Sequence, residues 1–416
     1  MRQLKWWVIR VKTKLLTVFF ALSLTGCSTI SDWFADDEEL QVRRLPDMLN
    51  EFEPKTEWGT TLGDGVDEYF SRLRPTVAYG KVFAASRDGI VAAFEPKTGK
   101  RLWQQDFSLD VSQSMIRTLL FVKNRGASAR ISGGLVAAYE TIFFGTENGE
   151  VFALNQETGE VKWKSKVAGE VLAAPAIDAG IVVVNTSAGN LIGLDSDDGK
   201  QLWSNQSDVP PLSLRGVSAP NASNGGALVG TPGGKLQVSI LESGLTAWEA
   251  PIASPTGATE LERIVDVDSY PVIFGGTIYV ISYNGTLAAV ELRSGRVIWS
   301  REYGSYRNLT LAGNALFVVD TNSNLYAVDR RNGVELWSNT ALRGRSLTEA
   351  TPSGDYIVAG DKYGFLHWFE QDEGKLVARY SVGSDDEEDA IFSAPVADGD
   401  MIYVQTRDGE LVAIGR

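Results

Sequence analysis

Residues that could do chemistry are scarce in this sequence, and their scarcity limits the reactions open to it. The chain of 416 residues has one cysteine, Cys27, and one histidine, His367. A single cysteine excludes an intramolecular disulfide and a cysteine-rich metal site. A single histidine excludes histidine-pair metal sites and most familiar acid–base arrangements. His367 lies in the strand-like segment 365–369, so we expect a ring satisfied by hydrogen bonds rather than a catalytic group.

The remaining polar motifs do not form a recognisable catalytic site. The acidic run at 385–389 could bind Ca²⁺, but it has no interspersed glycine at the spacing of a calcium loop, and a solvated loop is the simpler interpretation. No phosphate-binding loop, zinc spacing or serine nucleophile motif is present in the sequence. We therefore predict no catalytic residue, no metal and no cofactor. The net charge of −14 argues against general nucleic-acid binding.

Cys27 stands at the end of an N-terminal targeting segment. Basic residues precede the short apolar run Leu15 to Leu24, which is typical of a signal peptide and too short to span a bilayer comfortably. The sequence Leu24-Thr25-Gly26-Cys27 resembles the bacterial lipobox, in which cleavage precedes a cysteine that carries lipid. The alternative is an ordinary signal peptide with an incidental cysteine. We predict a cleaved signal at 1–26, a lipidated tether at 27–50 and a folded domain at 51–416.

The rest of the chain is a repeat that must position any functional residue. A glycine is followed four residues later by a tryptophan at a recurring spacing, and another turn residue lies ten residues before that glycine. The tryptophans of this pattern are Trp103, Trp163, Trp203, Trp248, Trp299 and Trp337. Each copy contains four short strand-like segments, and about 46 residues per copy is typical of propeller blades. The sequence predicts an eight-bladed β-propeller of four-stranded antiparallel blades.

The last copy ends at Arg416 after only three strands. The segment Lys55 to Trp58 resembles the tryptophan strand of the other copies, and we predict that it closes the last blade. Closure would remove exposed sheet edges. One tryptophan per copy at a fixed offset favours packing between neighbouring blades over ligand stacking.

Two connections between blades have unusual composition. The first contains Leu212, Leu214 and Arg215 between prolines, and the second contains Asp266 and Asp268 among aliphatic residues. Arg215 stands five residues before Pro220, as Asp266 does before Pro271, which predicts equivalent sites on adjacent blades and one face. Apolar, positive and negative groups would then form a protein interface. The alternative is an internal Arg215–Asp266 ion pair that only orders the loops.

The repeat motif, as in Asp195 to Trp203, resembles quinoprotein dehydrogenases that use pyrroloquinoline quinone. That resemblance raises a rival function, a periplasmic dehydrogenase. The vicinal disulfide common in those enzymes is impossible here, because Cys27 is the only cysteine. A propeller that binds glycan or a small ligand in its central channel is a third possibility. Fold alone does not decide among these functions.

Taken together, the lipobox, the eight repeats and the two connections resemble the BamB family, lipoprotein subunits of the bacterial outer-membrane β-barrel assembly machinery. The resemblance implies a non-enzymatic scaffold on the periplasmic side of the outer membrane, and Ser28 after the lipid cysteine agrees with that location. It implies binding to the periplasmic POTRA domains of BamA through Leu212, Leu214, Arg215, Asp266 and Asp268. Contact with unfolded outer-membrane precursors is a weaker implication. The departures are Ser323 for glycine, Ala378 for tryptophan and the acidic run near 387.

Overall fold

The computed structural model describes residues 41–66, 69, 71–108, 128–210, 212, 214, 216–383 and 389–416. The predicted signal, Cys27, Arg215 and residues 385–388 of the acidic run lie outside this description. Residues 48–416 form one compact unit, and residues 41–43 of the N-terminal unit form a helical turn. In the part of the chain that is described, no helix has the length and hydrophobicity needed to cross a bilayer.

Thirty-two strands are formed by the described residues. In chain order they are β1 Lys55–Thr61, β2 Thr76–Ala78, β3 Lys81–Ala85, β4 Ile90–Phe94, β5 Arg101–Asp106, β6 Ile131–Ala138, β7 Thr141–Thr146, β8 Glu150–Asn155, β9 Val161–Lys166, β10 Ala176–Asp178, β11 Ile181–Asn185, β12 Asn190–Asp195, β13 Gln201–Gln206, β14 Asn221–Ser223, β15 Gly226–Gly230, β16 Lys235–Ile240, β17 Thr246–Pro251, β18 Val272–Phe274, β19 Thr277–Ile281, β20 Thr286–Glu291, β21 Val297–Glu302, β22 Thr310–Ala312, β23 Ala315–Val319, β24 Leu325–Asp329, β25 Glu335–Asn339, β26 Thr351–Ser353, β27 Tyr356–Gly360, β28 Phe365–Glu370, β29 Leu376–Ser381, β30 Val396–Asp398, β31 Met401–Gln405 and β32 Glu410–Gly415.

The strands form eight four-stranded antiparallel sheets, as the repeat predicted. Seven blades each use four consecutive strands, beginning with β2–β5 as blade 1. Blade 8 has the order β1-β32-β31-β30, so the N-terminal strand closes the ring. Its register runs from Lys55 opposite Gly415 to Thr61 opposite Glu410. The predicted closure by the segment around Trp58 is confirmed.

Within each blade, the turn between the second and third strands is closed by one side-chain oxygen. A serine, threonine or aspartate accepts a hydrogen bond from the backbone N–H four residues later, which replaces a bond that the ladder cannot supply at the turn. These eight residues are Ser86, Thr146, Thr186, Thr231, Ser282, Asp320, Asp361 and Thr406. The repeat therefore includes a polar position that the glycine and tryptophan spacing did not reveal.

The hydrophobic core lies between neighbouring blades rather than at a single centre. Phe83 and Val91 of blade 1 pack with Ile142 and Phe144 of blade 2, and all four side chains are fully buried. Comparable clusters fill other blade seams. Successive residues of the inner strands point to opposite faces, and nearly all of them are apolar, so each sheet presents apolar faces to both of its neighbours.

The tryptophans join the blades, as predicted. Across seven seams of the described structure, an indole Nε1–H donates to a backbone carbonyl in the next blade at 2.7–3.2 Å. The pairs are Trp58 with Pro96, Trp103 with Gln156, Trp163 with Ser196, Trp203 with Leu241, Trp248 with Leu292, Trp299 with Arg330 and Trp337 with Gln371. A buried indole N–H thus finds an acceptor while its ring fills the seam.

Ala378 takes the tryptophan position at the remaining seam, between blades 7 and 8. The acceptor turn is missing there, because blade 8 joins the two ends of the chain instead of two successive strands. The N-terminal segment fills the space: Phe52 contacts Trp368 and Tyr356 with ring centroids 6.0 Å and 5.2 Å apart. Glu51 also donates its backbone N–H to Val377 at 2.9 Å. The departure from the repeat follows from how the ring closes.

Substitution of Gly244 tests the packing role of a tryptophan between two blades. Gly244 has φ +69°, and a Cβ there would lie 2.4 Å from the Trp203 ring. Gly225 of the same blade has φ +74° with no atom near its Cβ position. Both alanine variants incur about 1 kcal/mol of left-handed strain, but only Gly244→Ala adds about 2 kcal/mol of overpacking. Chemical denaturation should show that difference, and equal losses would contradict the packing role of Trp203.

Candidate functional site

Two long connections lie side by side on one face of the ring. Residues 207–220 join blades 3 and 4, and residues 252–271 join blades 4 and 5. Both follow an outermost strand, so they share the face that carries the turns between second and third strands. We call this the connection face and the opposite one the hairpin face. The second connection is fixed to the adjoining turns, because Val267 donates its N–H to Thr231 at 3.2 Å and Tyr283 donates to Asp266 at 3.0 Å.

A buried carboxylate links the two connections. The Leu214 backbone N–H donates to Oδ2 of Asp266 at 2.6 Å, although 52 residues separate them. Asp266 is 1% exposed, and its Oδ1 has no partner among the described residues. Burial, together with the charge of Asp268, raises the pKa of Asp266 to about 7. Asp266 therefore holds Leu214 of the first connection in place through this hydrogen bond.

Asp268 is held from across the ring. The Arg72 guanidinium donates through Nη1 to the backbone carbonyl of Asp268 at 3.1 Å, and through Nη2 to that of Tyr306 at 3.0 Å. Arg72 precedes β2 of blade 1, whereas Asp268 and Tyr306 precede the inner strands of blades 5 and 6. Burial raises the pKa of Asp268 to about 6, and the charge of Arg72 opposes this rise. Arg72 lies between β1 of blade 8 and β2 of blade 1, and it thus connects the place where the ring closes to the candidate site.

The predicted site residues occupy different depths. Leu212 is 42% exposed, whereas Asp266 and Asp268 are 1% and 4% exposed. Leu214 is half-buried, and Arg215 lies outside the described residues. The structure brings Leu214 and Asp266 together. The alternative of an Arg215–Asp266 ion pair concerns a residue that is not described.

Arg72 was missed in the sequence analysis, although a signal existed. Arg72 stands three residues before Pro75, and Asp268 stands three residues before Pro271. Counting back from the proline paired Arg215 with Asp266 at five residues, and at three residues it makes Arg72 and Asp268 equivalent positions in their blades. Because these blades are nearly opposite in the ring, their side chains approach across the axis rather than along a seam.

His367 belongs to a buried structural cluster. Its Nε2 lies 2.8 Å from Oδ2 of Asp361, which also accepts from Nε of Arg345 at 2.6 Å. His367 is fully buried, and burial lowers the pKa of its imidazole despite the nearby carboxylate. His367 is therefore held within the fold through Nε2, while its buried Nδ1 has no hydrogen-bond partner among the described residues, so the expected satisfaction of the ring is only half met. A substrate could not reach this ring without opening the blade.

The central channel of the propeller is a cavity of about 800 Å³. Its wall includes Arg74, Tyr270, Asn308 and Glu349. Asn308 Nδ2 donates to Oε1 of Glu349 at 3.1 Å, and Tyr270 is bonded to Asn221. In the described parts of the chain, no three His, Cys, Asp or Glu side chains converge in a way that could hold a metal ion.

Comparison with known proteins gives a consistent family. A family model described as outer membrane protein assembly factor BamB matches residues 49–120, 87–339 and 332–416. The BamB protein of Alteromonas naphthalenivorans is 58% identical over 399 residues, covering 96% of this chain and 95% of that protein. The BamB protein of Escherichia coli K12 is 35% identical over 393 residues, covering 94% and 96%.

Solved structures agree with this assignment at the level of the fold. The crystal structure of BamB from Moraxella catarrhalis superposes with a TM-score of 0.74 at 25% identity, covering 88% of this chain and all of that one. A quinohemoprotein alcohol dehydrogenase from Pseudomonas putida superposes with a TM-score of 0.65 at 11% identity, covering 88% of this chain and 76% of that one. The second likeness shows a shared propeller and nothing about activity. The chain therefore belongs to the BamB family of outer membrane protein assembly factors.

Proposed function

We propose that this chain is a non-enzymatic scaffold in outer-membrane protein assembly. Its relatives are named outer membrane protein assembly factors and match nearly the whole chain. The observation that carries the proposal is the link between the two connections on the connection face. There Asp266 fixes the loop that presents the exposed Leu212. A ring that already holds Leu214 in place through Asp266 loses little conformational entropy there on binding, which suits a docking platform.

The partner proposed is BamA, bound through its periplasmic POTRA domains. Leu212, Leu214 and Arg215 would contact it, as an aliphatic pair beside an arginine is a common composition for the centre of an interface. Asp266, which is 1% exposed, would belong to the same site as a buried support of Leu214. Asp268, which is 4% exposed, would take part where it lines the pocket beside Leu214.

Binding of the purified BamA periplasmic domain to the full-length chain tests the interface. Arg215→Glu and Leu212→Asp should each weaken the affinity about tenfold or more. Matched controls lie on the hairpin face: Arg293→Glu at an exposed arginine and Leu245→Asp at a leucine that is 66% exposed. All four variants should melt as the wild type does. Unchanged affinity in both loop variants, with normal melting, would refute this interface.

The membrane location rests on Cys27, which we propose carries the lipid after cleavage at 1–26. Residues 27–50 would then tether the propeller to the outer membrane on its periplasmic side. Acyl chains bind membranes at about 0.8 kcal/mol per buried CH₂ group, so several chains anchor durably. Cys27→Ala should move the protein out of the washed membrane fraction. If the Cys27→Ala protein stays in the washed membrane fraction when BamA is absent, the proposed lipid anchor is contradicted.

A further inference from the structure

A pocket opens beside the candidate interface, between blades 3 and 4. Its volume is about 270 Å³, and Leu214 and Asp268 both line it. Thr186 of blade 3 and Val229 of blade 4 also line it. It is distinct from the central channel and lies next to the loop that carries the exposed Leu212. A cavity of this size accommodates one long side chain.

The pocket wall combines apolar surface with one acidic group. Leu172, Val217 and Val229 supply aliphatic contacts, and Asn185 and Thr186 supply polar atoms. Asp268 is the only ionisable side chain among the described residues that line it. An occupant with an apolar stem and a positive end would complement both parts of this wall, as lysine and arginine side chains do.

Among the described residues, no cation forms a salt bridge with the Asp268 carboxylate, although the charge of Arg72 acts on it. Asp268 is 4% exposed, and within the described chain its side chain forms no hydrogen bond or ion pair. The Arg72 guanidinium engages the backbone carbonyl of Asp268 instead. Burial raises the pKa of the carboxyl to about 6, which is the response of an acid that has lost water without gaining a full partner.

Gly216 keeps this carboxylate accessible. A Cβ at that position would lie 2.0 Å from Oδ2 of Asp268. Because Gly216 has no side chain, the first connection can pass directly over the aspartate while the pocket beside it stays open. The loop sequence and the position of the acid are therefore matched to each other.

We propose that this pocket binds one lysine or arginine side chain of a protein partner, with its cationic end on Asp268 and its stem against the aliphatic wall. The source of that side chain rests on the function proposed above, because a partner seated on Leu212 would cover the pocket mouth. The preference for a cation belongs to the pocket itself and can be measured without the partner.

Two small probes with nearly the same shape separate charge from shape. N-acetyl-arginine amide is cationic, and N-acetyl-citrulline amide is its neutral counterpart. Methyl NMR of the full chain, with Leu214, Val217 and Val229 assigned, would follow titration of each probe. We expect saturable shifts of these methyl groups with the arginine probe and about tenfold weaker binding of the citrulline probe.

Asp268→Asn should abolish the discrimination between the probes, whereas Asp355→Asn, at an exposed aspartate on the hairpin face, should preserve it. A pH series on the wild type gives a second measurement that needs no variant. The preference should be strongest near pH 7.5 and largely lost near pH 5, because protonation of Asp268, and of Asp266 beside it, removes the negative charge while arginine stays positive. Equal binding of both probes, or shifts confined to other acidic surfaces, would overturn the proposal.

The results also separate this inference from the proposed function. Loss of BamA binding in Arg215→Glu, with no discrimination between probes, would reject the cation pocket and keep the interface. Discrimination at Asp268, with normal BamA binding in the loop variants, would keep the pocket and reject the interface.

Discussion

Deletion of residues 51–62 is expected to destabilise the propeller by about 8 kcal/mol, or about 10 °C in melting temperature for a unit of this size. The deletion removes β1 from blade 8 and leaves β32 as an unpaired edge. It also removes Trp58, which is 8% exposed and packs near Phe94 and Tyr403 at centroid distances of 6.2 Å and 6.0 Å. The deletion thus removes Trp58 from the seam between blades 8 and 1 and Phe52 from the seam between blades 7 and 8, so two seams are weakened at once.

Smaller changes in the same strand apportion this loss. Trp58→Ala should cost about 4 kcal/mol, because it empties a buried site and removes the indole donor of the Pro96 carbonyl, which keeps only the Tyr403 hydroxyl. Lys55→Ala is the matched control, since Lys55 only pairs with Glu57 at the surface, and it should cost less than about 0.5 kcal/mol. Differential scanning calorimetry gives the comparison. A deletion protein that melts like the wild type would show that the ring does not depend on this closure.

Asp361→Ala is expected to cost about 5 kcal/mol, because it leaves a buried cation without its partner. Arg345 is 1% exposed and His367 is fully buried, and both bond to Oδ2 of Asp361. Burial alone would raise the pKa of Asp361, but the contacts with His367 and Arg345 outweigh it and hold the pKa below its usual value. The carboxylate is therefore charged at neutral pH and supports both neighbours.

Asp320 provides the matched control for this prediction. It occupies the same turn position in blade 6, where its Oδ1 accepts the Asn324 N–H at 2.8 Å as Asp361 accepts the Phe365 N–H at 3.0 Å. Among the described residues Asp320 pairs with no buried cation, so Asp320→Ala should cost only the turn and the bonds from Asn324 Nδ2 and the Tyr326 hydroxyl, about 2–3 kcal/mol. Urea unfolding of both variants measures the difference. Equal losses would mean that the Arg345–Asp361–His367 cluster adds nothing to stability.

Much of the fold could be predicted from the sequence because its signals are local. A glycine with positive φ and a tryptophan four residues later define one hairpin, and the hairpin recurs at a nearly constant interval. Ser323 illustrates the strength of this positional signal, since it adopts φ +68° at a position where most copies have glycine. Trp58 was identified in the same way, because a truncated last copy needs a strand of that type.

The sequence by itself determined the number of blades, the closing strand and the two connections that carry the candidate site. Only the tertiary structure decided how deep the site residues lie. In the sequence, Asp266 and Asp268 lie in a segment that looks like an exposed loop, yet both side chains are buried. Their neighbours come from afar, as Arg72 reaches Asp268 across 196 residues. Such contacts depend on the diameter of the closed ring and on the conformation of irregular connections. The repeat pattern in the sequence carries no information on either.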